Sequence, residues 1–112
     1  METLRVDRIQ FLGEKSGPTE TKLQMQLRPL LEQAGTSSGY LASIQYEDGR
    51  QRVALCLGEG SKDKEVLITK IADVFKNMFT PENSLDILFL TPAQASRIIS
   101  VCAPFFTRRK SM

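Results

Sequence analysis

The sequence predicts an α+β domain, and three observations carry that expectation. Alternating apolar residues at 40–46 and 53–57 flank an Asp48-Gly49 pair. This reads as a β-hairpin, because Asp tolerates and Gly freely adopts the left-handed angles of the primed turns that match strand twist. Apolar residues at helical spacing lie on both sides of the hairpin, and a further strand pattern follows the second of them. The resulting order is strand, helix, strand, strand, helix, strand, helix. Its first six elements match a ferredoxin-like split βαββαβ arrangement with one added C-terminal helix, a mainly antiparallel sheet with helices on one face.

Residues 4–12 read as extended, with Val6, Ile9 and Phe11 as the apolar members and a slip in alternation between Val6 and Ile9. Residues 13–18 are a loop by composition. Thr19 offers a cap for the first helix and Glu20 suits its positive end. Leu23, Leu27, Leu30, Leu31 and Ala34 follow at helical spacing, and Pro29 within the pattern predicts a kink or break near Arg28. Gly35 ends the helix. On the first hairpin strand Tyr40, Ala42, Ile44 and Tyr46 share a face, and on the second Val53, Leu55 and Leu57 do.

Gly58-Glu59-Gly60 closes the second strand, and Ser61 is the expected cap of the second helix. That helix carries Leu67, Ile71, Val74, Phe75 and Met78 on one stripe. Ile68, Ala72 and Phe79 widen it, which predicts a well-buried helix. Residues 85–90 are apolar on both faces apart from Asp86, the pattern of a central strand. Thr91-Pro92-Ala93-Gln94 opens the last helix with a capping box and Pro at the first helical position. Pro104 ends this helix, and Phe105-Phe106 and the basic Arg108-Arg109-Lys110 follow.

A length of 112 residues fits one domain over 1–112, with 1–10 and 108–112 as flexible ends. Hydrophobic residues at 41% and charged residues at 25% place the chain with globular proteins rather than disordered ones. No apolar run reaches membrane-spanning length, and residues 1–5 lack the basic and apolar regions of a secretory signal, so a cytoplasmic protein without membrane contact is expected. In that compartment Cys56 and Cys102 are expected as reduced, buried, small hydrophobes.

The chain has no histidine, which removes imidazole general bases, Ser-His-Asp and Cys-His nucleophiles, and His-ligated metals. Two distant cysteines make no zinc spacing. Gly58-Glu59-Gly60-Ser61-Lys62 follows a strand and opens a helix. It lacks the phosphate-loop spacing and places Glu59 where phosphate would sit, so it reads as a plain connection. The acidic pairs Glu47/Asp48, Asp63/Glu65 and Glu82/Asp86 fall at turns and helix ends, where they solvate loops. A net charge of +2 and three basic residues at the C-terminus are too little for nucleic acid. The aromatic octapeptide of RNA-binding sheets is absent too. No catalytic residue, metal site or cofactor is therefore expected.

The remaining candidates are contact residues. Hairpin tips and chain ends are exposed and free to carry contacts, which singles out Tyr46, Glu47, Asp48 and Arg50, together with Phe105, Phe106, Arg108 and Arg109. For the Phe pair the bland alternative is that one ring packs on the core and the other covers a helix end.

Four segments, Leu12-Gly13-Glu14, Pro18-Thr19, Tyr40-Leu41-Ala42-Ser43-Ile44-Gln45-Tyr46 and Ala103-Pro104-Phe105-Phe106, occur in an order and spacing that resembles the C-terminal domain of the bacterial enhanced serine sensitivity B proteins. The resemblance runs from about Phe11 to Arg109. Typical members carry an N-terminal domain ahead of this one, and this chain is expected to hold the C-terminal domain alone. The resemblance implies a cytoplasmic bacterial protein without established catalytic residues. The expected function is a non-enzymatic protein-binding module, a cognate immunity or inhibitor protein or a secretion-system accessory, whose partner is a toxin or a secretion component. The alternative is a small-ligand-binding or regulatory homodimer.

Overall fold

A computed structural model of the chain describes residues 9–79 and 85–107. The elements are β1 (Gln10–Glu14), α1 (Pro18–Ala34), β2 (Ser38–Gln45), β3 (Gln51–Leu57), α2 (Lys64–Met78), β4 (Asp86–Phe89), α3 (Pro92–Ile98) and β5 (Phe106–Thr107). The expected strands and helices are all present, and β5 is an addition. Residues 4–8 of the first expected strand lie outside the described residues. Ile9 and Gln10, assigned above to a loose end, belong to the core and to β1.

The sheet is α+β and mixed. Its order is β1-β2-β3-β4, with β5 pairing β2 beyond the end of β1. β1–β2, β2–β3 and β2–β5 are antiparallel, and β3–β4 is parallel. The ferredoxin-like split is therefore not the arrangement seen. In a split βαβ unit a third strand lies between the two parallel strands that a helix joins. Here β3 and β4 are direct neighbours, and α1 joins two antiparallel neighbours.

The helices also divide between the faces, where one face was expected. Leu23, Leu27 and Leu31 of α1 and Leu67 and Ile71 of α2 pack on Leu41, Leu55 and Leu57. Ala95 and Ile98 of α3, with Cys102 after it, pack on the opposite face against Tyr40, Ala42, Ile44 and Cys56. Strand alternation explains the split, because the even-numbered residues of β2 and β3 point to α3 and the odd-numbered ones to α1 and α2. Leu27, Leu31, Leu41, Leu55, Leu57 and Ile71 are fully buried, each contributing about 1.5–3 kcal/mol of apolar burial.

This layering corrects the position of β4. It is an edge strand among the described strands, not a central one. It is apolar on both sides because both faces of the sheet are covered: Ile87 and Phe89 face α1 and α2, and Leu88 and Leu90 face α3.

Several local expectations hold. Gly35 terminates α1 in the left-handed region at φ 79°, with its N–H and that of Thr36 bonded back to Glu32 O and Leu31 O. Thr91 and Gln94 form the reciprocal capping box of α3. Others are displaced. The first helix opens at Pro18 behind Gly17, so Thr19 does not cap it. It runs uninterrupted through Pro29, because the carbonyl left without a donor belongs to Met25 on the solvent face. Ser61 does not cap α2 either; Asp63 holds that position, and Ser61 Oγ is bonded to Thr36 Oγ1 at 2.7 Å. Ala72 is exposed and Ile68 half-buried, so α2 is narrower in its buried stripe than expected. The slip expected between Val6 and Ile9 falls on residues that lie largely outside the described ones; β1 itself has a bulge at Leu12, between the pairs Phe11–Ile44 and Gly13–Ser43. Among the described residues no helix is long and apolar enough to cross a membrane.

Candidate functional site

The hairpin tip is a three-residue loop. Tyr46 N–H donates to Arg50 O and Gly49 N–H to Tyr46 O, both at 2.9 Å. Gly49 has φ 90°, while Asp48 is not left-handed. The loop is thus a type I turn closed by a left-handed Gly, not the two-residue primed turn expected from Asp-Gly. Asp48 holds it together by accepting Arg50 N–H at 3.0 Å and Arg50 Nε–H at 2.7 Å. These bonds, the backbone one foremost, hold the Asp48 carboxyl below the usual carboxylate range. Glu47, Asp48 and Arg50 are exposed, as a contact surface requires.

Tyr46 is not exposed. Only 8% of it is accessible, its ring lies under the Arg50 guanidinium at 5.4 Å, and its hydroxyl donates to Asp86 Oδ2. Arg52 Nε donates to the same carboxylate oxygen at 2.8 Å. Burial, then the bond to Asp86, pushes the Tyr46 hydroxyl well above its usual value of 10.0. The side chain singled out as a contact residue is the centre of a polar cluster joining the end of β2 to β3 and β4. The alternating pattern could have shown this, since Tyr46 continues the face of Tyr40, Ala42 and Ile44.

Phe105 and Phe106 are half-buried against the α1/α2 face cluster. Both were singled out as contact residues, with one core ring and one ring over a helix end as the alternative; both pack against the core cluster. Phe105 N–H donates to Gly39 O at 2.9 Å, and Phe106 pairs with Gly39 in β5. Tyr46 lies seven positions along the chain from Gly39, a span of about 23 Å. The hairpin tip and the Phe pair therefore belong to opposite ends of the sheet and form no single patch. Arg108 and Arg109 lie outside the described residues.

The glycine-rich connection between β3 and α2 is occupied with structural work. Ser37 N–H donates to Glu59 O at 2.8 Å, Gly58 N–H to Ser38 O at 2.9 Å and Lys62 N–H to Ala34 O at 2.7 Å. Its amides hold the end of α1 against the start of α2 instead of forming an anion cradle.

Both cysteines are free and buried. Burial, then the neighbouring Cys102, pushes the Cys56 thiol up to about 12. Burial, then Glu14, pushes Cys102 up to about 11. Native protein is expected to resist iodoacetamide near neutral pH and to be labelled at both thiols in urea; rapid native labelling would mean that the α3 face opens. The raised thiol values also contribute stability that is complete below the ordinary 9.0 and lost as pH climbs through 11–12.

Sequence reasoning missed a groove at the hairpin end of the sheet, between the start of α1 and the end of α2. It has a volume of about 260 Å³ and is floored by Leu41, Val53 and Leu85, with Leu23, Phe75 and Phe79 as walls. Phe75 and Phe79 stack at 4.5 Å. Lys15 and Glu20 stand at its rim. Each of its apolar lining residues reads as ordinary core in sequence, and only the fold leaves them open to the groove. Among the described residues no three or more acidic or sulfur side chains gather as a metal site.

Comparison with protein-family models, curated proteins and solved structures finds no match to this chain.

Proposed function

We propose that this chain is a non-catalytic protein-binding module of the enhanced serine sensitivity B type. The observation that carries the reading is the apolar groove at the hairpin end of the sheet. It is open rather than enclosing, and its stacked aromatic wall suits a protruding apolar side chain of another protein better than a small ligand, which favours enclosure. Lys15 and Glu20 at the rim offer one charge of each sign to orient the incoming segment. The exposed Glu47, Asp48 and Arg50 extend the same end of the molecule. The partner class is a toxin or secretion component whose activity is blocked or routed by binding.

The family part of the reading is supported by how its segments meet. Glu14 Oε1 accepts from Ala103 N–H at 3.2 Å, and Arg28 Nε donates to Phe105 O at 3.3 Å. The Gly-Glu segment, the first helix and the Pro-Phe-Phe segment thus hold one another, a structural reason for residues so far apart in sequence to occur together.

The test is capture of a stoichiometric partner from the native cytoplasm, followed by its affinity for purified variants. Phe79→Ala is expected to weaken binding about thirtyfold, the effect of losing a hot-spot ring. The charge exchange Lys15→Glu with Glu20→Lys should weaken it less while leaving the melting temperature unchanged. Wild-type affinity in both folded variants, with loss in Asp48→Ala or Arg50→Ala, would move the surface to the hairpin tip. Failure to retain any protein would overturn the reading.

A further inference from the structure

The two edges of the sheet are built differently. β1 carries the bulge at Leu12, the charged Glu14 and then Lys15, features by which edge strands resist further pairing. β4 carries no bulge and no Lys. Its register with β3 runs without a shift from Ala54–Asp86 to Leu57–Phe89. Its sequence Asp86-Ile87-Leu88-Phe89 has no Lys and no Pro. Its one charge is turned inward, the carboxylate of Asp86 being held by Tyr46 and Arg52. No described strand pairs with the outer side of β4.

The orientation of that edge can be read from one bond. Leu90 N–H donates to Leu57 O at 2.8 Å, so the backbone groups of Leu88 and Leu90 face β3. By alternation those of Ile87 and Phe89 face outward. A second feature lies above them. Lys64 Nζ sits 4.7 Å from the centre of the Phe89 ring, which fixes the side of α2 that overlies β4. Positions 68 and 72 follow on that side at helical spacing. They are the half-buried Ile68 and the exposed Ala72.

From these features we infer that β4 is the seam of a homodimer, formed by antiparallel pairing of β4 with β4 of a second copy about Leu88. In this register Ile87 of each copy stands opposite Phe89 of the other. Their outward groups exchange four main-chain hydrogen bonds, and the two Leu88 residues form the close, non-hydrogen-bonded pair. Ile87 and Phe89 stay on the α1/α2 face and Leu88 on the α3 face, so both layers continue across the two-fold axis. The occupant is a second copy rather than a foreign strand because the pairing is self-complementary. Apolar side chains oppose apolar ones from 87 to 89, Asp86 stands opposite Leu90 rather than its like, and a net charge of +2 sets up little repulsion between copies. The inference does not rest on the proposed function, since the groove lies between α1 and α2 and the seam lies on the outer side of β4.

Sedimentation equilibrium and concentration-dependent hydrogen exchange on the intact chain test it. The expected mass is twice the 12.6 kDa of one chain, with the Ile87 and Phe89 amides gaining protection as dimer forms. Ile87→Pro removes an outward donor at an edge position that tolerates Pro. Ala72→Glu adds a carboxylate to each copy on the side of α2 that overlies β4. Each is expected to raise the dimer dissociation constant about tenfold or more, and Ala72→Glu, on an exposed position, keeps the test valid if the Pro variant misfolds. A monomer at every concentration, or a dimer indifferent to Ala72→Glu with unprotected Ile87 and Phe89 amides, would overturn the inference.

Discussion

Gly60→Ala is expected to destabilise the protein by about 3 kcal/mol and to lower its melting temperature by about 10–20 °C. Two costs combine. Gly60 has φ 95°, a conformation that an L side chain adopts only under strain. A methyl group there would also stand 2.7 Å from the backbone carbonyl oxygen of Gly35. That carbonyl cannot easily withdraw, because Ser37 N–H to Glu59 O and Lys62 N–H to Ala34 O bind the two loops to each other on either side of it. Gly49→Ala is the control. Its φ of 90° is similar, but nothing lies within 4 Å of the added methyl, so only the conformational part remains, about 1 kcal/mol. Urea denaturation of the two variants should therefore differ by about 2 kcal/mol. Equal losses would show that the contact between the α1–β2 and β3–α2 loops is slack.

The same pair of loops shows where sequence reading succeeds and where it stops. Local grammar was legible: Gly35 at the end of α1, the Thr91/Gln94 box of α3 and the alternating faces of β2 and β3 each depend on a few neighbouring residues. Features set by distant partners were not. Ser61 has the chemistry of a helix cap and is instead bonded to Thr36, 25 residues away. β4 has the two-sided apolar pattern of a central strand and lies at the edge, because that pattern reports coverage by α1, α2 and α3, not strand order. The choice of Tyr46 as a contact residue went astray for a related reason. Tyr46 was placed at the tip by its distance from Asp48-Gly49, yet its side chain follows strand parity into the core. The groove left no signal, since Leu23, Val53, Phe75 and Phe79 carry the spacing of buried residues whether or not the helices close over them.

Tyr46, Asp86 and Arg52 supply the second large expected effect. Asp86→Ala should cost about 2 kcal/mol, because one carboxylate oxygen accepts from both Tyr46 Oη and Arg52 Nε. The ion-pair share is modest: the Arg52 side chain is 33% exposed and that of Asp86 19%, so solvent screens the pair. Most of the loss falls on the part-buried bond from Tyr46 to a charged acceptor. Tyr46→Phe removes that bond while keeping the ring under Arg50, and is expected to cost about 1.5 kcal/mol. Because the two substitutions delete the same interaction, the double variant should lose about 1 kcal/mol less than their sum. Strict additivity would mean that the Tyr46–Asp86 bond carries no energy of its own. The pH dependence gives an independent reading. The Tyr46 hydroxyl titrates above its ordinary 10.0 in the folded protein, so its contribution is complete below pH 10 and is lost as pH rises further, when a phenolate would face the Asp86 carboxylate. The two buried thiols lose stability in the same alkaline direction, but equally in both proteins. The stability difference between wild type and Tyr46→Phe should therefore shrink above pH 10, and a difference that stays constant there would remove the hydroxyl from the account of how β2 and β4 are joined.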